Sequence, residues 1–125
     1  MNYTVREYLI DLCAKGKTIA YQELSNECKL GLDMSSPADR SKIAEMLGTI
    51  STYEHQHNRP LLTAVVIAKR TQVQGDGFFK LGDQLGYGDW KILKRDSFDI
   101  EQIKKCYEFW GNKENYTKYR NITYV

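Results

Sequence analysis

The densest group of side chains that can do chemistry lies between residues 54 and 59, where the sequence is Glu-His-Gln-His-Asn-Arg. Glu54 and His57 are three residues apart, so on a helix they share one side. A carboxylate can act as a base and an imidazole as an acid, and the guanidinium of Arg59 can bind an anion through two parallel hydrogen bonds. The segment therefore predicts a polar pocket in a small enzyme or ligand-binding protein, with Glu54, His57 and Arg59 as the candidate catalytic residues.

The same segment has a structural interpretation, which the sequence favours. Near the C-terminal end of a helix, histidine and arginine complement the helix dipole, and Arg59 can pair with Glu54. His55 and His57 are two residues apart and point to different sides of a helix, which disfavours a two-histidine metal site. Neither histidine stands at zinc-finger spacing from a cysteine. We therefore expect no metal and no cofactor.

A glycine-rich turn, Gly75-Asp76-Gly77, precedes Phe78 and Phe79. Backbone amides in such a turn can hold a phosphate at the start of a helix. The alternative is a tight turn with its glycines at positive φ, anchored to the core by the two aromatic rings. One Gly-x-Gly has low specificity, so the turn only adds to the predicted pocket.

Basic residues form two further candidate groups, Arg40 with Lys42 and Lys69 with Arg70. The chain has 18 basic and 16 acidic residues and a net charge of +2, so any attraction to a polyanion depends on how the charges are distributed. The alternative for Arg40 and Lys42 is a solvated helix face beside Asp39. Nucleic acid is therefore a candidate partner that the composition permits without requiring it.

Hydrophobic periodicity predicts three N-terminal helices. The first begins after Thr4, its expected cap, and ends before Gly16. The second covers about Ile19–Cys28 and lacks a capping side chain at its start. The third begins after Ser36, has proline at its first position, and runs to about His57.

An apolar run, Leu61–Ala68, follows the third helix. Because it is apolar on both faces, it predicts a strand that is covered on both sides. The candidate partner strands are Thr71–Val73 and Trp90–Leu93. Downstream we expect a short helix over about 78–86, a longer one from Asp96 or Ser97 to residue 111, and a loosely alternating tail over 116–125 that adds a strand.

Together these elements predict an α+β fold that is mostly helical. It comprises a winged-helix-like head of three helices, a small β-sheet and a C-terminal helix, in one domain over residues 1–125. Three cysteines with no close pair fit a reducing compartment, and two of them, Cys13 and Cys106, fall on apolar helix faces. The longest apolar run is too short for a bilayer and the first residues do not resemble a signal peptide, so we expect a cytoplasmic protein.

Three segments carry a resemblance to a known family: Lys17–Leu24, Ser36–Ala44 and Asn58–Leu62. They resemble the winged-helix domain of the O6-alkylguanine DNA alkyltransferases and alkyltransferase-like proteins, over about Lys17 to Val66. The resemblance implies that Arg40 matches the arginine that the family inserts into the base stack. It also implies that Tyr21 matches the tyrosine at the start of the family's second helix.

The chain departs from that family at the expected Pro-Cys-His-Arg motif, since the segment Leu61–Lys69 contains neither cysteine nor histidine. Alkyl transfer needs a thiolate acceptor, so the resemblance implies binding without chemistry. The chain is also similar to a group of small bacterial proteins that have an Arg-Pro-Leu-Leu strand and a Gly-x-Gly-Phe-Phe turn. That second resemblance implies no activity.

The leading hypothesis is a small, non-catalytic nucleic-acid-binding module of bacterial type, with double-stranded DNA as its partner and no contact with a membrane. Its expected DNA-binding residues are Tyr21, Arg40, Ser41 and Lys42 toward the groove and Lys69 and Arg70 on a wing. The first alternative is the enzyme or ligand-binding protein described above. The second is an interaction subunit of a larger assembly, with a protein partner contacted by the late aromatic residues Tyr107, Phe109, Trp110, Tyr116, Tyr119 and Tyr124.

Overall fold

The computed structural model describes residues 1–71 and 74–122, which form seven α-helices, one 3₁₀-helix and a two-stranded sheet. The helices are α1 (Tyr3–Ala14), α2 (Tyr21–Glu27), α3 (Pro37–Gln56), α4 (Asp76–Gln84), α5 (Trp90–Arg95), α6 (Phe98–Gly111) and α7 (Lys113–Tyr119), and the 3₁₀-helix is Leu62–Val65. The strands are β1 (Ile19–Ala20) and β2 (Val66–Ile67). The predicted class, α+β and mostly helical, is confirmed.

Local sequence signals explain where the first and third helices begin. The Asn2 side chain, rather than Thr4, caps α1 by accepting from the Val5 amide at 2.9 Å. The Ser36 side chain caps α3 as predicted, accepting from the Asp39 amide at 3.3 Å, and proline is the first helical residue. The helix α3 ends at Gln56, one residue before the predicted end.

The predicted strand over Leu61–Ala68 is wrong for most of its length. Residues 62–65 form the 3₁₀-helix, and only Val66–Ile67 pairs as β2. Its partner is β1, in parallel register with Ile19 opposite Val66, although Ile19 was expected in the second helix. A run that is apolar on every side fits a buried strand or a buried helical turn equally well, so periodicity could not separate them.

Two other expected strands do not form among the described residues. Trp90–Leu93 lies in α5, because Asp89 caps a helix there by accepting from the Lys91 and Ile92 amides. The tail is helical over residues 116–119, in α7. The remaining candidate partner, Thr71–Val73, lies largely outside the described residues, as does the end of the tail. The wing that was expected to carry Lys69 and Arg70 therefore stays a prediction.

The core has two parts that meet at the 3₁₀-helix. The larger is built on α1, α3 and α6, and includes the predicted core cysteines Cys13 and Cys106. The smaller gathers Phe78, Phe79 and Phe98 around Leu61. Helix α6, which was predicted as the C-terminal helix and is followed by α7, thus packs across the centre of the molecule. None of the helices within residues 1–71 and 74–122 has the length and apolar character to cross a bilayer.

Candidate functional site

A buried ionic cluster occupies the second half of α3. Glu54 is 0% exposed, and its carboxylate accepts from Arg6 Nε at 2.9 Å and from Arg59 Nε at 2.8 Å. Arg6 also donates to the carbonyls of Tyr119 and Arg120, at 2.9 and 2.6 Å. The cluster therefore joins α1, α3, the turn after α3 and the end of α7. The predicted pairing of Arg59 with Glu54 is confirmed.

Aromatic rings cover the two guanidinium groups. The Arg6 group lies 5.4 Å from the Tyr53 ring centroid and 5.8 Å from that of Trp110. Burial acts to lower the pKa of Arg59, but the hydrogen bonds and charge of Glu54 outweigh it and raise that pKa above its ordinary value. Arg59 therefore stays cationic, and by formal charge the two guanidinium groups exceed the one carboxylate of the cluster by +1.

Glu54 is buried, and both of its carboxylate oxygens accept hydrogen bonds from arginines of the protein, so its carboxylate cannot contact a substrate. His57 is exposed, and its Nδ1 bonds to the Tyr53 carbonyl oxygen at 2.8 Å instead of contacting Glu54. His55 faces elsewhere, with Nδ1 3.0 Å from the Tyr87 hydroxyl. The catalytic roles of Glu54, His57 and Arg59 stay predictions without geometric support. Across the described parts of the chain, no group of three or more His, Cys, Asp or Glu side chains could hold a metal.

A groove of about 460 Å³ lies between α3 and α4. Its walls include the small residues Ala44 and Gly48 of α3 and Gly77 of α4. Polar side chains of Tyr21, Thr63 and Gln74 form its base, and Lys80 stands at its side. Of these residues, the sequence predicts a binding role for Tyr21 and for the glycine-rich turn that contains Gly77. The sequence signal that could have indicated the groove is the pair of small residues, Ala44 and Gly48, four positions apart on one face of α3.

The base of the groove is held by a hydrogen-bond network centred on Gln74, which is 5% exposed. Its Nε2 donates to the carbonyls of Thr63, Ala64 and Val66, and its Oε1 accepts from the Tyr21 hydroxyl at 3.2 Å. The Thr63 hydroxyl lies 2.6 Å from the Ser51 hydroxyl. Burial raises the pKa of Tyr21, so its hydroxyl stays protonated. The groove therefore has a rigid base with fixed donors and acceptors.

The loop between α2 and α3 is tied to both helices. Gln22 accepts from the Met34 amide at 2.9 Å, and the Ser25 hydroxyl bonds to both backbone groups of Leu32. Arg40 Nη1 then donates to the Met34 carbonyl oxygen at 3.2 Å. The nine residues between Glu27 and Pro37 are therefore held against both helices, in a loop that is longer than the three- or four-residue turn of a typical helix-turn-helix.

The sheet register and the loop contacts relate three of the predicted DNA-binding residues, Tyr21, Lys69 and Arg40. Because β1 and β2 are parallel and Ala20 is opposite Ile67, the residues that follow both strands emerge at the same sheet edge. Tyr21 follows β1 directly, and Lys69 comes two residues after β2. The Gln22 and Met34 contacts link this edge to Arg40.

The charge of this surface is mixed. Arg40, Ser41, Lys42 and Arg70 are exposed. Acidic side chains lie among them, since the Asp39 carboxylate is 3.9 Å from Lys42 Nζ. The surface is basic only in part.

Comparison of the chain with protein-family models, with curated proteins and with solved structures found no match. The resemblance to the alkyltransferase-like winged helix therefore depends on residue patterns alone. Any function has to be argued from the groove, the loop and the charges around them.

Proposed function

We propose that this chain is a small, non-catalytic module that binds double-stranded DNA through the first half of α3 and the groove beside it. The observation that carries the proposal is the open face of that half helix. Ile43 and Leu47 are buried on one side, whereas Ser41, Ala44 and Glu45 are exposed on the other. An ordered helix that follows a hydrogen-bonded loop and presents small side chains suits close approach to a DNA groove.

The cationic residues support contact with phosphates. Arg40, Lys42, Lys69 and Arg70 can each neutralise one phosphate, which predicts a logarithmic salt dependence of the association constant with a slope of roughly −3 to −4. Asp39 beside Lys42 offsets part of this attraction, so we expect affinity in the micromolar range rather than tighter.

The groove supports a second contact, with a base that has left the stack. Its volume of about 460 Å³ falls within the usual range of ligand pockets, roughly 300–1,000 Å³. Tyr21, Thr63 and Gln74 provide polar groups at its base. An unstacked base would pack on the apolar walls, and the Tyr21 hydroxyl oxygen and the Gln74 side-chain oxygen could each accept one further hydrogen bond from it. Since the segment after α3 has no thiolate, we propose binding without group transfer, in the cytoplasm as the sequence predicts.

The first test is a titration of fluorescent duplex DNA with the whole chain at low and raised salt, followed by anisotropy. Arg40→Ala should weaken binding about fivefold or more and reduce the salt slope by about 1. The control is Lys15→Ala at the exposed end of α1, which removes the same charge at a residue that does not line the groove. Absence of salt-sensitive binding at micromolar protein would refute the proposal, and so would equal losses in both variants.

The second test concerns the groove. A mismatched duplex, in which a base unstacks at lower cost, should bind several-fold more tightly than the matched duplex. Nothing lies within 4 Å of a Cβ built on Gly48, so Gly48→Leu should fill the groove without disturbing the core. We expect this variant to keep duplex binding and lose the preference for the mismatch. If the preference persists, the base does not enter the groove.

A further inference from the structure

We propose that the cleft between the end of α3 and α6 binds a small oxyanion, specifically a phosphoryl group. The cleft has a volume of about 300 Å³. Its polar lining residues are His55, Asn58, Arg59, Tyr87, Gln102 and Lys105. It lies at the opposite end of α3 from Arg40, so this inference is independent of DNA binding.

The first argument is the unbalanced charge behind the cleft. Arg6 and Arg59 share the single carboxylate of Glu54, and all three residues are at least nine-tenths buried. Of the three, only Arg59 lines the cleft. It binds Glu54 through Nε and Nη2, so its Nη1 takes no part in that pair. A buried excess of one positive charge that reaches a cleft attracts an anion there.

The second argument is an unused donor at the cleft wall. Gln102 is 1% exposed, and its Oε1 accepts from the Leu61 amide at 2.9 Å. Its Nε2 donates to none of the residues that the structure describes. In the described chain, Trp110 Nε1 is the one fully enclosed side-chain atom without a partner, so Gln102 Nε2 is not fully enclosed, and Gln102 lines the cleft. Buried amide groups are normally paired. The unpaired Nε2 of Gln102 therefore indicates that a bound ligand supplies the acceptor.

The remaining lining residues suit an anion with several oxygens. The Lys105 ammonium approaches from α6, where Glu101 Oε1 holds it at 2.8 Å. Asn58 stands in the left-handed region with φ +57°, directly before Arg59. The donors lie on two elements, α6 and the turn after α3, and so approach the cleft from different directions. A phosphoryl group has oxygens on several sides and can accept hydrogen bonds from both elements. A planar carboxylate would use fewer of them.

The test uses the whole chain and inorganic phosphate as the probe, at constant ionic strength set with chloride. Phosphate should produce saturable shifts in the NMR signals of the Gln102 side-chain amide and of the Asn58 and Leu61 backbone amides. Methyl phosphate should behave similarly, and acetate should bind several-fold more weakly. Shifts that stay linear in phosphate, or acetate binding that is as tight, would overturn the proposal.

Three variants on α6 localise the effect. Lys105→Gln should weaken phosphate binding about threefold to fivefold, the usual range for one partly exposed charge. Glu101→Gln should tighten it, because the carboxylate that competes for Lys105 is removed. Lys104→Gln is the matched control, since this neighbouring lysine does not line the cleft. Equal effects of the two lysine variants would indicate general screening and would refute a site.

Arg40→Ala separates this inference from the proposed function. The variant should keep its phosphate affinity whether or not DNA binding is lost. Saturating duplex DNA should likewise leave the Gln102 signal free to respond to phosphate. If DNA abolishes the phosphate response, the cleft is part of a nucleic-acid interface and not a separate site for a small ligand.

Discussion

The two halves of α3 use charged side chains in opposite ways. In the second half, Glu54 is completely buried and holds two arginines that come from α1 and from the turn after α3. In the first half, Arg40 and Lys42 are exposed: Arg40 donates to a loop carbonyl oxygen at 3.2 Å, and the Lys42 ammonium lies 3.9 Å from the Asp39 carboxylate. One helix therefore contributes ionic groups to the interior at one end and to a solvent-facing surface at the other.

The difference separates residues that hold the fold from residues that are available for binding. Charges removed from water need good partners, because the desolvation of each ion costs several kcal/mol. Exposed charges lose little when their partners are removed, so they can be exchanged for the charges of a ligand. The following substitutions test this contrast, from the largest expected effect to the smallest.

Glu54→Gln should destabilise the protein by about 3–5 kcal/mol, because two buried guanidinium groups lose the carboxylate that they share. Urea unfolding followed by far-UV circular dichroism measures the change. The control is Glu45→Gln, at an exposed position in the first half of the same helix, which should change stability by less than about 0.5 kcal/mol. Similar losses in the two variants would remove the distinction between the halves of α3.

The glycines of α4 repeat the contrast on a smaller scale. A Cβ at Gly82 would lie 2.9 Å from Phe98 Cε2 and 3.0 Å from Leu93 Cδ1. Gly82→Ala should therefore lower the free energy of unfolding by about 1–2 kcal/mol, since overpacking outweighs the gain in helix propensity. Gly77→Ala, on the groove side where nothing lies within 4 Å, should not destabilise the protein. Thermal unfolding of both variants decides whether α4 has a packed and an open side.

Gly48→Ala should stabilise the protein. The glycine lies inside α3, and a Cβ there meets no atom within 4 Å. Alanine restricts the unfolded chain and favours the helix, which predicts a gain of about 0.5–1 kcal/mol in urea unfolding. A loss of stability would mean that the groove wall is more tightly packed than the structure shows, and the groove would then be too small for a base.

The surface pair of Asp11 with Arg120 should show the smallest effect and a defined pH dependence. The hydrogen bond from Arg120 holds the pKa of Asp11 below its ordinary value of 3.8, and the bond from the Tyr116 hydroxyl adds to this. A lowered pKa in the folded state stabilises the fold above the ordinary pKa, and that contribution is lost as the pH falls through the folded value. We expect Asp11→Asn to cost less than about 1 kcal/mol at pH 7, because the pair is partly exposed.

The midpoints of thermal unfolding at pH 7 and pH 3 measure this dependence. The difference between the wild type and Asp11→Asn should be largest at pH 7 and should shrink at pH 3. A difference that is constant across this range would show that packing, and not the charge of Asp11, stabilises the contact of α1 with α7.

Sequence reasoning anticipated the elements whose signals are local. Ser36 followed by proline marked the start of α3, and Gly16, at φ +67°, marked the end of α1. It also anticipated the bond between Glu54 and Arg59, because five residues separate them across a helix end. It could not anticipate Arg6, whose contact with Glu54 spans 48 positions. The same limit applies to Gln74 and Tyr21, which are 53 residues apart.

By itself, the sequence determined where most helices begin and end and which of their faces are apolar, because caps, prolines and periodic side chains act within one or two turns. Only the tertiary structure decided that residues 62–65 coil as a 3₁₀-helix and that β2 pairs with Ile19–Ala20. Both outcomes depend on what surrounds a fully apolar segment. Such a segment has no polar face, so its sequence does not indicate which side packs against which neighbour. The groove beside α3 has the same origin, since its polar base is assembled from residues that meet only when the chain has folded.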